Sequence, residues 1–236
     1  MPVLMRLLYG RMRSKTGSKT EGKAAAGTRM AIVLRFLAGS QNEEIHMYLD
    51  LLYEPVSHLK DGSCLAMVQQ SVEQLDLSKF LPLGRQHNIY NSLEVALKNL
   101  GHLVLSYLPK ILQILLCMTA SVTQALEQRR KLQLRFINPL KNLRRLGMKR
   151  IIEFFRDFGT YPYTAEEIDA VFFAVVWPNV RRIPLESQHA PSFVLQLIQV
   201  WSQSPRYHPL FAKTEIWATG VRCAAKYICS AIYKKY

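Results

Sequence analysis

The sequence predicts an all-α protein of the HEAT/armadillo-like helical-repeat type, with no catalytic machinery of its own. Two observations carry that prediction. Apolar residues recur every three or four positions along most of the 236 residues, while the strict alternation of half-buried strands is nearly absent. Amphipathic segments also follow one another across short connections rich in Pro, Gly and Ser, so that no helix can bury its apolar face without its neighbours. With 49% hydrophobic and 20% charged residues, the chain has ample apolar surface to offset the entropy lost on folding.

Residues 2–12 read as a short helix, and Arg13–Lys23 (RSKTGSKTEGK), which lacks apolar residues, reads as a basic flexible linker. Together they form a first region, 1–23. A repeat region, 24–213, opens with a helix over 24–38 that sets Met30, Val33, Leu34 and Leu37 on one face. Ser40 and Glu43 have the spacing of a capping box, in which a hydroxyl and a carboxylate each satisfy the other residue's amide. The helix they open carries Ile45, Tyr48, Leu49 and Leu52 and ends near Pro55. A turn at Lys60–Ser63 precedes a helix over 64–75, and a Pro/Gly-containing connection spans 76–87.

The clearest pair comes next. Ile89, Leu93, Leu97, Leu100 and Val104 step at helical spacing, and past Pro109 so do Ile111, Leu115, Met118, Val122 and Leu126. Asn138-Pro139 is expected to start another helix, with Pro in the first turn where no donor is lost, and Leu140, Leu143, Ile151, Phe154 and Phe158 on its apolar side. Thr164 and Glu167 form a second capping box before a very apolar helix reaching Trp177, and a last amphipathic stretch covers 192–202. No residue-level repeat recurs at a fixed period. A third region, 214–236, stands apart as a divergent tail.

Function classes narrow quickly. Cys64, Cys117, Cys223 and Cys229 form no C-x-x-C pair, so buried reduced thiols are expected, in keeping with cytosol or nucleus. Arg6 interrupts the apolar N-terminal stretch and no cleavage site follows, so a signal peptide is not expected. Pro109, Lys110 and Gln113 interrupt Leu103–Met118, which falls short of the ~18 apolar residues of a membrane span. Gly17–Lys23 approaches a phosphate-binding loop, but Ala24 stands where a magnesium-ligating hydroxyl belongs. The six histidines are scattered singly, so no metal is expected, and no cofactor either. Glu166, Glu167 and Asp169 sit in a first helical turn, where carboxylates complement the macrodipole. No serine lies in a G-x-S-x-G elbow.

The net charge of +14 is concentrated in two windows. Residues 1–35 contribute +7 and residues 129–150 contribute +9, the latter with nine Lys/Arg and no acid. The second window holds Arg129, Arg130, Lys131, Arg135, Lys141, Arg144, Arg145, Lys149 and Arg150. Lys141, Arg145 and Lys149 step by four and share a helix face that Arg144 flanks, with leucines opposite. The whole window, with Arg13, Lys15, Lys19 and Lys23 of the linker, forms the expected contact for RNA phosphates. An acidic protein or peptide docking on a HEAT adaptor would satisfy the same charges, and aromatic interleaving for base stacking is not evident.

Several ordered blocks bear a resemblance to a known family. They are MRLLYGRMRSKTGSKTEGK (5–23), GTRMAIVLRFLAGS (27–40), LDLSKFLPLGRQH (75–87), LPKILQILLCMTA (108–120), LRFINPLKNLRRLGMKR (134–150) and EEIDAVFFAVVWP (166–178). On these the chain resembles the central-to-C-terminal part of the small-subunit processome component 20 family, also called the "down-regulated in metastasis" or U3 small nucleolar RNA-associated protein 20 family. The resemblance implies a very long HEAT/armadillo-type solenoid of the nucleolus, non-catalytic and acting in early small-subunit rRNA processing. Its implied partners are pre-rRNA and U3 small nucleolar RNP assembly factors, with no small-molecule substrate and no membrane. Family members are many times longer, so a fragment or short isoform is expected. From Thr214 the sequence departs from the resemblance.

Overall fold

The computed structural model describes residues 42–77, 82–180 and 192–207, together with 31–32, 35, 39 and 209. Its described residues are helical throughout their regular elements, with no strand among them. The helices expected over 2–12 and 24–38 lie wholly or mostly outside the described residues, as do Ser40 of the first capping box and the tail from Thr214.

Helix α1, Asn42–Leu52, buries Ile45, Tyr48, Leu49 and Leu52, the stripe expected from spacing. The Tyr48 hydroxyl donates to the Ser92 carbonyl at 3.3 Å, tying α1 to the helix it packs on. Helix α2, Cys64–Glu73, starts at Ser63, whose side chain accepts from the Ala66 amide. Helix α3, Leu83–Asn99, begins directly after Pro82, so the connection before it is shorter than the expected 76–87.

The link between α3 and the next helix is a seven-residue 3₁₀ stretch, Gly101–Tyr107, that runs straight into α4, Leu108–Glu127. Pro109 sits in the first turn of α4, where its missing N–H costs nothing. Spacing predicts a one-sided helix here, yet Leu112, Ile114, Leu115, Leu116, Ala120 and Val122 are all buried. A narrow polar stripe through Lys110, Gln113, Ser121 and Gln124 stays half-buried, and α4 lies at the centre of the core, contacting α2, α3 and α5. Its buried hydroxyls are satisfied locally: Thr119 and Thr123 donate to the Leu115 and Thr119 carbonyls at 2.7 and 2.8 Å. By length and composition alone Leu103–Glu127 could cross a membrane, but most of that stretch is buried within this helical core.

Helix α5, Leu134–Asp157, starts earlier than Asn138-Pro139 predicts and holds Pro139 in its interior. The proline deprives the Arg135 carbonyl of its helical donor. Both residues are exposed, so water can take the vacant place. Leu140, Leu143, Ile151, Phe154 and Phe155 face inward. Thr164 then opens α6, Ala165–Val171, through a complete capping box: its hydroxyl accepts from the Glu167 amide at 3.1 Å while the Glu167 carboxylate accepts from the Thr164 amide at 2.8 Å. A π-helical segment, Phe172–Val176, continues into α7, Trp177–Val180, and α8 spans Phe193–Gln203.

Packing alternates along the chain. Helix α3 lies on α5, and α5 on α8, while α2 lies on α4 and α4 on the π segment. The two series meet mainly where α4 packs on α5. Tyr90 of α3, Thr119 of α4 and Gly147 of α5 converge there, the two hydroxyls 2.9 Å apart. Only a glycine lets α5 come this close.

Candidate nucleic-acid interface

The α4–α5 hairpin that forms the centre of the core also carries the basic window. After Glu127 the chain makes a single 3₁₀ turn, Arg129–Lys131, with all three cations exposed. Gln133 precedes α5 without a side-chain cap, so the free amides of a 24-residue helix add positive partial charge at the same elbow. Arg135, in the first turn, is exposed and places its guanidinium 4.8 Å from the centre of the Phe136 ring. Lys141 and Arg145 follow, both exposed. None of Arg129, Arg130, Lys131, Arg135, Lys141 and Arg145 has an ion-pair partner among the described residues.

Toward the C-terminal half of α5 the charges are matched. Lys149 is exposed but lies 3.7 Å from Glu153, and Arg144 is half-buried and engaged. Arg150 leaves the interface altogether. Its side chain is only 8% exposed, and it pairs with Glu153 at 2.5 Å and with Glu94 of α3. Glu94 also accepts from Lys98 at 2.6 Å. Arg150, expected among the contacts of the basic window, instead falls on the buried stripe, seven residues beyond Leu143, and clamps α5 to α3. Nearby His87 is held below its ordinary pKa, first by desolvation and then by the Arg150 charge. Arg13, Lys15, Lys19 and Lys23, with the loop at Gly17, lie outside the described residues.

The structure adds one group that the sequence reading passed over. Leu134 is 84% exposed and Phe136 is 39% exposed, beside the basic turn. Leu140 and Leu143, on the same stripe as Phe136, are each 2% exposed. The stripe thus continues past the residues that cover it.

Elsewhere the polar groups have structural work. Glu167 completes its capping box, and Glu166 reaches across to α2, accepting from the Leu65 amide at 3.3 Å. Cys64 and Cys117 are buried free thiols, and burial pushes the Cys117 pKa up to about 12 and that of Cys64 upward as well. Among the described residues no cluster of His, Cys, Asp and Glu is placed to hold a metal. A cleft of about 530 Å³ near the end of α2 is lined by Glu54, Asp76 and His58, with Glu54 paired to Arg85 at 2.9 Å.

Comparison with known families now bears on this arrangement. The model described as U3 small nucleolar RNA-associated protein 20, N-terminal, matches residues 1–233. The chain belongs to this family. The matched region is thus described as N-terminal, where the sequence blocks point to a central-to-C-terminal part, and it includes residues 214–233. The U3 small nucleolar RNA-associated protein 20 of Schizosaccharomyces pombe is 21% identical over 209 residues, which cover 88% of this chain and 8% of that protein. The chain therefore spans less than a tenth of the length of this U3 small nucleolar RNA-associated relative.

Proposed function

We propose that this chain is a non-catalytic scaffold segment of the nucleolar small-subunit processome, a HEAT-type piece of solenoid that holds pre-rRNA. Its partners on this reading are pre-rRNA and U3 small nucleolar RNP assembly factors, in the service of early rRNA processing and small-subunit biogenesis. Family membership supports the setting. The alternating packing, in which each helix of the series α3–α5–α8 lies on the next while α2, α4 and the π segment do the same, supports the repeat architecture.

The observation that carries the RNA reading is the set of six exposed cations, Arg129, Arg130, Lys131, Arg135, Lys141 and Arg145, without ion-pair partners among the described residues. Held along one elbow and one helix, these charges suit a phosphate backbone, whose affinity rises with each counterion released. The test is binding of the chain to a pre-rRNA leader fragment at several salt concentrations, beside the R129A/R130A/K131A variant. Log affinity should fall linearly with log salt, and the variant's slope should be shallower by about 2. Equal slopes for the two proteins would refute the assignment.

A further inference from the structure

We propose that the α4–α5 elbow is a single-stranded RNA site, in which Phe136 and Arg135 stack an unpaired base while Arg129, Arg130 and Lys131 hold the flanking phosphates. The inference rests on the RNA reading above and specifies the kind of RNA this face takes.

Phe136 is the one aromatic among the large apolar side chains that are exposed in the described residues; Arg135 contacts its ring, and the exposed cations of the 3₁₀ turn Arg129–Lys131 precede it closely in the chain. Other aromatic rings of the hairpin, Phe154 and Phe155, are buried. With Phe136 39% exposed, leaving that part uncovered forgoes about 1 kcal/mol of burial. Leu134 is more exposed still. An apolar pair flanked along the chain by exposed cations is a poor surface for an apolar protein partner, because docking would strip water from the charges.

Single-stranded nucleic acid meets both demands. It offers a flat base face to stack on the ring and guanidinium, which already contact each other at 4.8 Å, and phosphates for the cations. Duplex RNA offers the phosphates alone, since its base faces are already stacked. The three cations of the turn also favour a flexible strand. Successive residues of a 3₁₀ helix point about 120° apart, so Arg129, Arg130 and Lys131 fan out rather than line one straight groove. A strand that bends between phosphates can reach all three. Stacking of this kind tolerates any base, so little sequence preference is expected.

The experiment measures fluorescence anisotropy of a labelled 12-nucleotide unpaired RNA, its duplex and an abasic version, with wild type, F136L and R129A/R130A/K131A. F136L keeps the apolar bulk and, at an exposed site, the fold, which circular dichroism would verify. It should weaken unpaired RNA about five- to a hundred-fold with an unchanged salt slope, and leave duplex and abasic RNA untouched. If F136L binds unpaired RNA like wild type, or duplex is preferred, the stacking site is refuted while the phosphate-contact reading stands on its own slope. If no RNA shows a slope that the triple variant reduces, and a polyglutamate of matched charge binds instead, both fall.

Discussion

Replacing Gly147 by Ala inverts the usual expectation for a glycine in a helix interior. Ala raises intrinsic helix stability by about 1 kcal/mol over Gly, so at an open site the change would stabilise α5. At this site a Cβ would stand 2.6 Å from the Tyr90 hydroxyl oxygen and 2.9 Å from the ring carbon bearing it, with the Thr119 hydroxyl closer still. Contacts this short force atoms apart. Tyr90 is 0% exposed, so its ring has no solvent side to swing into. Overpacking of this kind costs about 1–3 kcal/mol. Separating the Tyr90 and Thr119 hydroxyls, now 2.9 Å apart, adds about 1–3 kcal/mol for a buried group left without its partner. Set against the helix-propensity gain, the net loss is about 1–5 kcal/mol. Urea denaturation followed by circular dichroism reads it as a lower midpoint at unchanged slope. Adding Tyr90→Phe should recover part of the loss, because it removes the oxygen at 2.6 Å while Thr119 keeps its bond to the Leu115 carbonyl. A G147A variant as stable as wild type would refute the close approach of α3, α4 and α5.

The division of the basic window makes a second prediction. Arg150→Ala should cost about 1–3 kcal/mol, since it removes the guanidinium between α3 and α5 while Glu94 and Glu153 keep Lys98 and Lys149, and Arg145→Ala should stay within about 0.5 kcal/mol. Equal melting temperatures for the two variants would count against it. In a C223S/C229S background, Cys64 and Cys117 should resist a thiol reagent at pH 8 until the chain is unfolded, because burial holds both as neutral thiols; rapid labelling of the native chain would disprove their burial. Protonation of His87 should destabilise the fold, because its pKa is lowered in the native state: the contribution is fully present above its ordinary value of 6.5 and is lost as pH falls below that. A His87→Gln variant should therefore show a flatter decline in melting temperature between about pH 6.5 and 5, and an unchanged slope would exclude His87 as its source.

Much of the helical architecture was legible because it rests on local chemistry. The stripe at Ile45, Tyr48, Leu49 and Leu52, and the box at Thr164 and Glu167, need only spacing and hydrogen-bond geometry. The start of α5 was not legible in the same way. Proline biases its predecessor away from the helix, so Asn138-Pro139 reads as a boundary, yet five residues before Pro139 are already helical on an exposed side where water can satisfy a carbonyl. The π segment at Phe172–Val176 has no period of its own in a run of apolar residues. Arg150 did carry a signal. Leu143, Gly147, Arg150 and Phe154 step by four, three and four, which puts the arginine on the inward stripe and asks for a carboxylate opposite. Summing charge over residues 129–150 conceals that, because a sum has no direction.

Phe136 shows the reverse case, and it bears on the place of the proposed interface. By spacing it belongs with Leu140 and Leu143, and a helical wheel alone buries it. Periodicity says which side of a helix an atom faces but not how far along that side the neighbour extends. Here α4 ends at Glu127, and the first turn of α5 is exposed through Leu134, Arg135 and Phe136. The same short distance changes the electrostatics. Near Glu94 and Glu153 the cations of α5 meet carboxylates and become part of the packing, while at the elbow they meet none among the described residues. Repulsion among the elbow cations is thus relieved by no ion pair among the described residues, and a bound polyanion would relieve it while covering the apolar pair. The hairpin therefore separates its tasks along its length: its paired end fastens helices to one another, and its unpaired end is left to hold something else.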